Sequence, residues 1–205
     1  MSEGTDARRP RVDSVGFLLP ASWWTIDLTD EESRHRSVGR LVDRQVGRAD
    51  DRAALRADAR KQLGEAADQA AAAGGRMMAV SLMQAQGIPV TATLTTYRIP
   101  GGDVTGAGVV ELESIMRKDT ASSEGSSLEL AEGPQGPVLR RVSQRTGPVE
   151  LGAERIPMLI VDYWLDPDDG HGLMLLTFGT PLVGLREAFL DLFDTIVASV
   201  GPAEG

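Results

Sequence analysis

The chain has 205 residues, 41% of them hydrophobic, with no cysteine and a formal net charge of −9. A chain this long buries roughly 70% of its unfolded surface, so a sizeable core is expected without disulfides, zinc ribbons, iron–sulfur clusters or thiol chemistry, all of which need cysteine; this suits a reducing, cytoplasmic setting. The acidic balance argues against duplex nucleic acid as a partner, no apolar run approaches the 18 residues of a membrane span, and the polar opening Met1–Pro10 lacks the apolar core of a signal peptide.

Residues 1–13 are polar and aperiodic and read as a disordered tail, with a single α+β domain over 14–201 and a short tail at 202–205. Val15–Leu19 and Trp23–Leu28 read as two short strands or one bent strand. Thr29-Asp30-Glu31-Glu32 has the form of a capping box, with Thr29 as the cap of a helix that ends near Gly47. A second helix is predicted from about Asp50 to Ala73, stopped by Gly74-Gly75, with Leu55, Ala59, Leu63, Ala66 and Ala70 as its buried face.

The period then changes to two. Met78, Val80 and Leu82 share one face of a strand, and Gly87 marks a turn. Ile88, Val90, Ala92 and Leu94 alternate with Thr91, Thr93, Thr95 and Tyr97, a half-buried antiparallel strand ended by Pro100-Gly101-Gly102. Val109, Leu112, Ile115 and Met116 fit a short helix. The Ser-, Gly-, Glu- and Pro-rich stretch Asp119–Pro137 reads as a long loop with at most a short strand at Leu128–Leu130. Val138–Val142 is a strand carrying Arg140 and Arg141 on opposite faces. Ile156–Leu165 and Leu173–Phe178 form an apolar hairpin and the central strands. Thr180 caps a last helix with Pro181 in its first turn, and Leu182, Leu185, Phe189, Leu192, Phe193, Ile196 and Val200 form its buried face. Strands and helices in runs, not strict alternation, predict an α+β fold: a mostly antiparallel sheet packed by an N-terminal helical pair and a C-terminal amphipathic helix.

Catalytic and metal chemistry find little footing. The chain has two histidines, His35 in an Arg-rich helix and His171 in a turn, so neither a Ser-His-Asp triad nor a His/Cys metal site is indicated. Asp166, Asp168 and Asp169 before Gly170 lack the glycine and glutamate spacing of a calcium loop and read as a turn. Gly106-Ala107-Gly108 has Glu111 where a dinucleotide fingerprint needs a third glycine, and no phosphate-binding loop with Gly-Lys-Ser/Thr is present. No cofactor is expected.

Three features bear on binding. Arginine recurs every fourth residue at Arg36, Arg40, Arg44, Arg48, Arg52, Arg56 and Arg60. From Arg34 to Lys61 nine cations face four aspartates, a local +5 that leaves −14 on the rest. Steps of four drift about 40° each around a helix, so the row forms a patch able to dock an acidic protein, with a merely solvated face as the competing reading. Trp23-Trp24 and Tyr163-Trp164 each direct one ring inward and one outward, which nominates Trp24 and Tyr163 as contacts. Asp162 interrupts the most apolar strand on the face of Ile160 and Trp164. Arg140 or Arg141 is its expected partner, and Asp162, Arg140 and Trp164 define an alternative ligand pocket.

Leu18-Leu19-Pro20-Ala21-Ser22-Trp23 resembles the Leu-Pro-x-x-Trp opening of Mog1/PsbP-like domains, as do the strand Met158–Trp164, the strand Leu173–Phe178 and the helix that ends in Ile196-Val197-Ala198-Ser199. The resemblance implies an α/β/α sandwich of the kind used by non-enzymatic accessory proteins and carries over no catalytic residue. The expected function is a non-catalytic protein-interaction module (adaptor, chaperone or immunity-type accessory protein) with Arg36, Arg40, Arg44, Arg48, Arg52, Trp24 and Tyr163 as partner contacts; the alternative is a small-ligand binder or enzyme built on Asp162, Arg140 and Trp164.

Overall fold

Strand β10 (Pro157–Leu165) is apolar on both faces because both faces are covered. The structure, a computed structural model, describes residues 9–85, 88–100, 107–120, 125–146 and 156–203. The chain opens with β1 (Arg11–Val12), β2 (Val15–Gly16) and β3 (Trp23–Asp27), followed by α1 (Glu31–Val46), a 3₁₀ turn at Asp50–Arg52 and α2 (Ala53–Ala72). Next come β4 (Gly75–Ser81), β5 (Met83–Ala85), β6 (Ile88–Val90), β7 (Thr93–Ile99) and α3 (Ala107–Thr120). β8 (Ser126–Gly133), β9 (Gly136–Thr146), β10, β11 (Leu173–Thr180), α4 (Arg186–Ala198) and β12 (Gly201–Pro202) complete it. The fold is α+β. Seven strands in the order β3-β4-β7-β11-β10-β9-β8 form one antiparallel sheet.

On one face of that sheet Leu159, Val161, Tyr163 and Leu165 lie beside Met174, Leu176 and Phe178. This surface is buried by Phe189, Phe193, Ile196 and Val197 of α4 and by Val12, Val15, Phe17 and Leu19 of the N-terminal segment. Phe178 stacks on Phe193 at 4.2 Å between ring centroids, which fixes the angle of α4 on the strands. The other face carries two separate covers. Val38 and Leu41 of α1 and Ala67 of α2 cover Ile26, Leu28 and Met78 at one end. Val109 of α3 covers Leu139, Trp164 and Leu173 at the other. Gly75 lets α2 come down onto β4: a Cβ there would stand 2.6 Å from the Ala70 carbonyl oxygen.

Several sequence expectations change. The tails are shorter than predicted, because β1 pairs with β2, β12 pairs with β2, Val12 is buried, and the Ala203 amide donates to the Ser14 carbonyl; residues 1–8 and 204–205 lie outside the described residues. Asp30, not Thr29, caps α1: its carboxylate accepts from the Ser33 amide, while the Thr29 hydroxyl is already donated to Asp27. Leu55 of α2 is 59% exposed instead of buried. The strand foreseen over 88–97 is interrupted between β6 and β7 at Thr91 and Ala92. β8 and the start of β9 replace much of the long loop. Thr180 ends β11, its hydroxyl donating to the Thr91 carbonyl and accepting from the Leu182 amide. A 3₁₀ turn at Val183–Leu185 then delays α4 to Arg186 and leaves Leu185 exposed. The turn at Gly87 and the Gly101-Gly102 and Gly106 positions lie outside the described residues.

The N-terminal segment is tied down by charge as well as by apolar burial. Arg98 donates to both Asp13 and Asp169, and the Ser14 hydroxyl donates to Asp169 at 2.6 Å. Burial raises the pKa of Asp169, but the bonds from Ser14 and the His171 amide, with the Arg98 charge, outweigh it and hold the carboxyl below its ordinary value. A carboxyl depressed in the folded state stabilises the fold above its unfolded pKa, and that contribution disappears as pH falls through the folded value. Replacing Asp169 by Asn is therefore expected to remove about 1 kcal/mol at pH 7. In urea unfolding at a series of pH values, the gap between the two proteins should close as pH falls from about 5 to 2.

Candidate functional site

α1 turns Ser37, Val38, Leu41 and Val42 inward. The four-residue arginine spacing then carries Arg36, Arg40 and Arg44 along its exposed side. Their bonding differs. Arg36 donates to Glu32 one turn back and to the Ser33 hydroxyl. Arg40 reaches the Ser37 hydroxyl at 3.4 Å. The Arg44 guanidinium lies 5.6 Å from the centroid of the Trp24 ring, within cation–π range. Among the described residues, neither Arg40 nor Arg44 forms a salt bridge to a carboxylate.

The remaining arginines of the row build the turn between α1 and α2. Arg48 pairs with Asp43 and Arg60 with the same carboxylate. Arg52 donates to the Val46 carbonyl, and Arg56 to the carbonyls of Gly47 and Ala49. These bonds satisfy carbonyls that the end of α1 and the turn would otherwise leave open. Arg48 and Arg52 are exposed, yet their positions are set by this local work.

Tyr163 is 2% exposed and faces α4, so the expectation that it is an outward contact is corrected. Its hydroxyl donates to Asp194 of α4 at 2.6 Å. Burial, then the hydrogen bond and charge of Asp194, raise its pKa and keep it a donor. Arg140 donates to the other Asp194 oxygen at 2.6 Å and to Glu129 of β8. Burial opposes the Arg140 charge, but the Glu129 and Asp194 carboxylates outweigh it and raise its pKa. These groups line a cavity of about 270 Å³ between α4 and the β8–β9 hairpin, with Val138 and Val197 among its apolar walls.

Asp162 lies on the other face and is 4% exposed. One of its oxygens accepts from Arg141 at 2.6 and 3.1 Å, the other from the Thr177 hydroxyl at 2.9 Å. The pairing follows from register, since Asp162 stands opposite Arg141 on β9 and Thr177 on β11. Trp164 is buried on this face beneath α3, with the Arg141 guanidinium 5.2 Å from its ring centroid.

The predicted contacts therefore separate. Arg36, Arg40, Arg44 and Trp24 come together at the β3 end of the sheet. Asp162 and Trp164 share a face, but Arg140 belongs to the opposite one, so the three do not line one pocket. Arg141 is one of the two partners expected for Asp162; choosing it over Arg140, and finding Thr177, takes the strand register. Asp194 carried a weak signal in its position flanking Leu190 and Val197 on the amphipathic α4; Glu129 falls in the short strand Leu128–Leu130 that the sequence places inside a long loop. Among the described residues no group of three His, Cys, Asp or Glu side chains is placed to hold a metal ion, and no helix is long and apolar enough to cross a membrane.

No protein-family model matches the chain, and no curated protein matches it. Among solved structures it is similar to the Saccharomyces cerevisiae Ran-binding protein Mog1p, at 7% identity and a TM-score of 0.48, over 96% of this chain and 95% of that one. A mutant of Mog1 matches at 7% identity and 0.48, over 95% of each chain.

Because Tyr163 works inside the fold, far from α1, replacing it by Phe is expected to cost about 1 kcal/mol in urea unfolding and to leave binding at the Arg36–Arg44 face unchanged.

Proposed function

We propose that this chain is a non-catalytic protein-interaction module, an adaptor, chaperone or immunity-type accessory protein, that receives an acidic segment of a protein partner on Arg36, Arg40 and Arg44 with Trp24 beside them. One observation carries this reading: Arg40 and Arg44 are exposed one turn apart without a carboxylate partner among the described residues, in a chain whose net charge is −9. A guanidinium is a planar donor fork that takes a carboxylate in two parallel bonds. Two of them at helical spacing, with an indole against the second, offer an acidic segment charge, direction and an apolar surface. Arg48 and Arg52 prolong the positive strip toward the α1–α2 turn. The surrounding acidic body repels anionic partners elsewhere, which helps to orient the encounter.

The non-catalytic part of the reading is supported by how the polar groups are used. Asp162 is bonded to Arg141 and Thr177, and Asp194 to Arg140 and Tyr163. The buried Asp162 and the half-exposed Asp194 thus each have their charge matched by neighbours in the fold.

The experiment is crosslinked capture from lysate at about 50 mM and about 300 mM salt, with the native chain and with Arg40→Glu/Arg44→Glu. The expected result is a stoichiometric protein that falls at least tenfold in the double variant and weakens with salt as charges are screened. Equal recovery by both proteins at both salt concentrations would overturn the proposal.

A further inference from the structure

A cavity of about 360 Å³ lies between the N-terminal segment and the first two strands of the sheet, within the roughly 300–1,000 Å³ range of small-molecule sites. Alternation along β3 puts Trp23, Thr25 and Asp27 on one face. Trp23 is in the core, while Thr25 and Asp27 reach the cavity beside Met77. The facing wall is the β1–β2 hairpin, whose two-residue turn Asp13-Ser14 carries Asp13 at φ 56°. Arg76 and Arg98 both donate to Asp13, at 3.0 and 3.2 Å, and pin this wall to the sheet. Two charges in the cavity are left unmatched. Asp27 Oδ1 accepts from the Thr29 amide and hydroxyl, and among the described residues Asp27 has no cation in salt-bridge range. Arg11 likewise has no carboxylate. Both line the cavity, and they do not pair with each other.

We infer that this cavity binds a small zwitterion, a free α-amino acid, with its carboxylate on the Arg11 guanidinium and its ammonium on Asp27 Oδ2. The charge pattern selects the ligand. A simple anion drawn to Arg11 would share the cavity with Asp13 and Asp27, and a simple cation drawn to Asp27 would share it with Arg11 and Arg76. A zwitterion answers both unmatched charges and leaves the cavity neutral, because the two arginines balance the two aspartates. The guanidinium fork takes a carboxylate in two parallel bonds, and the Thr25 hydroxyl adds an acceptor for the ammonium. Pro10, Val12 and Met77 form the apolar part of the lining, which suits an aliphatic side chain. The pinned hairpin keeps the wall in place before the ligand arrives, which lowers the ordering cost of binding. The site is independent of the α1 surface, since Thr25 and Asp27 point to the face of β3 opposite Trp24.

The test is thermal unfolding of the full chain with L-leucine, N-acetyl-L-leucine, which lacks the ammonium, and L-leucinamide, which lacks the carboxylate. Leucine at about 10 mM should raise the unfolding midpoint by about 3 °C, and the two single-charge analogues should bind at least tenfold more weakly. Arg11→Gln and Asp27→Asn should each weaken leucine binding about tenfold. Thr25→Val, which leaves the bonds from Thr29 to Asp27 in place, is the variant to use where Asp27→Asn perturbs folding, and should weaken binding about threefold. Amide exchange with leucine present should slow at Arg11–Asp13 and Trp23–Asp27. Arg40→Glu/Arg44→Glu should leave leucine binding unchanged, which separates this cavity from the α1 face. A midpoint that leucine does not move, equal binding of leucine and either analogue, or full binding by Arg11→Gln overturns the inference.

Discussion

The register of β9, β10 and β11 is the constraint from which the distribution of chemistry follows. Asp162 stands opposite Arg141 and Thr177, and Tyr163 opposite Arg140 and Leu176, in ladders without a shift. Successive side chains of a strand point to opposite faces, so one residue of slip would exchange the faces of all these groups. The apolar residues forbid the slip: Leu159, Val161 and Leu165 are each at most 2% exposed on the Tyr163 face, and a shifted strand would hand them to the wrong cover. Packing thereby fixes the polar pairs, and the two adjacent arginines of β9 are committed to separate faces and separate carboxylates.

The same sheet sets the separation of charge. α1 lies over β3 and β4 and brings its arginine face to one edge; β8 closes the other edge with glutamates. Seven strands at about 4.8 Å spacing put these edges roughly 29 Å apart. The chain is thus acidic on average but cationic at one end.

Much of the architecture was legible in the residues. α1 buries a short apolar stripe, the β10–β11 hairpin and α4 bury longer ones at the period of the element, and helix ends such as Gly47 and Gly74 mark the limits. Of β8 only the centre, Leu128–Leu130, was legible, because a Ser-, Gly- and Glu-rich segment has little strand propensity of its own. Its pairing comes from β9 beside it and from Leu128 packing beneath α3. Alternation predicted that one of Tyr163 and Trp164 would face each side. It carried no information on whether each side is covered, and α4 and α3 bury both. The pairing of Asp162 was foreseen as an arginine on the neighbouring strand, but choosing Arg141 over Arg140 needs the register, which depends on every apolar contact in the sheet.

The most direct measurement is a pair of double-mutant cycles by urea unfolding, one with Asp162→Ala and Arg141→Ala, the other with Asp162→Ala and Arg140→Ala. The account predicts a coupling of about 1–3 kcal/mol for Asp162 with Arg141 and within about 0.5 kcal/mol of zero for Asp162 with Arg140. Coupling of Asp162 to Arg140 and not to Arg141 would contradict the register and, with it, the placement of every functional group described above.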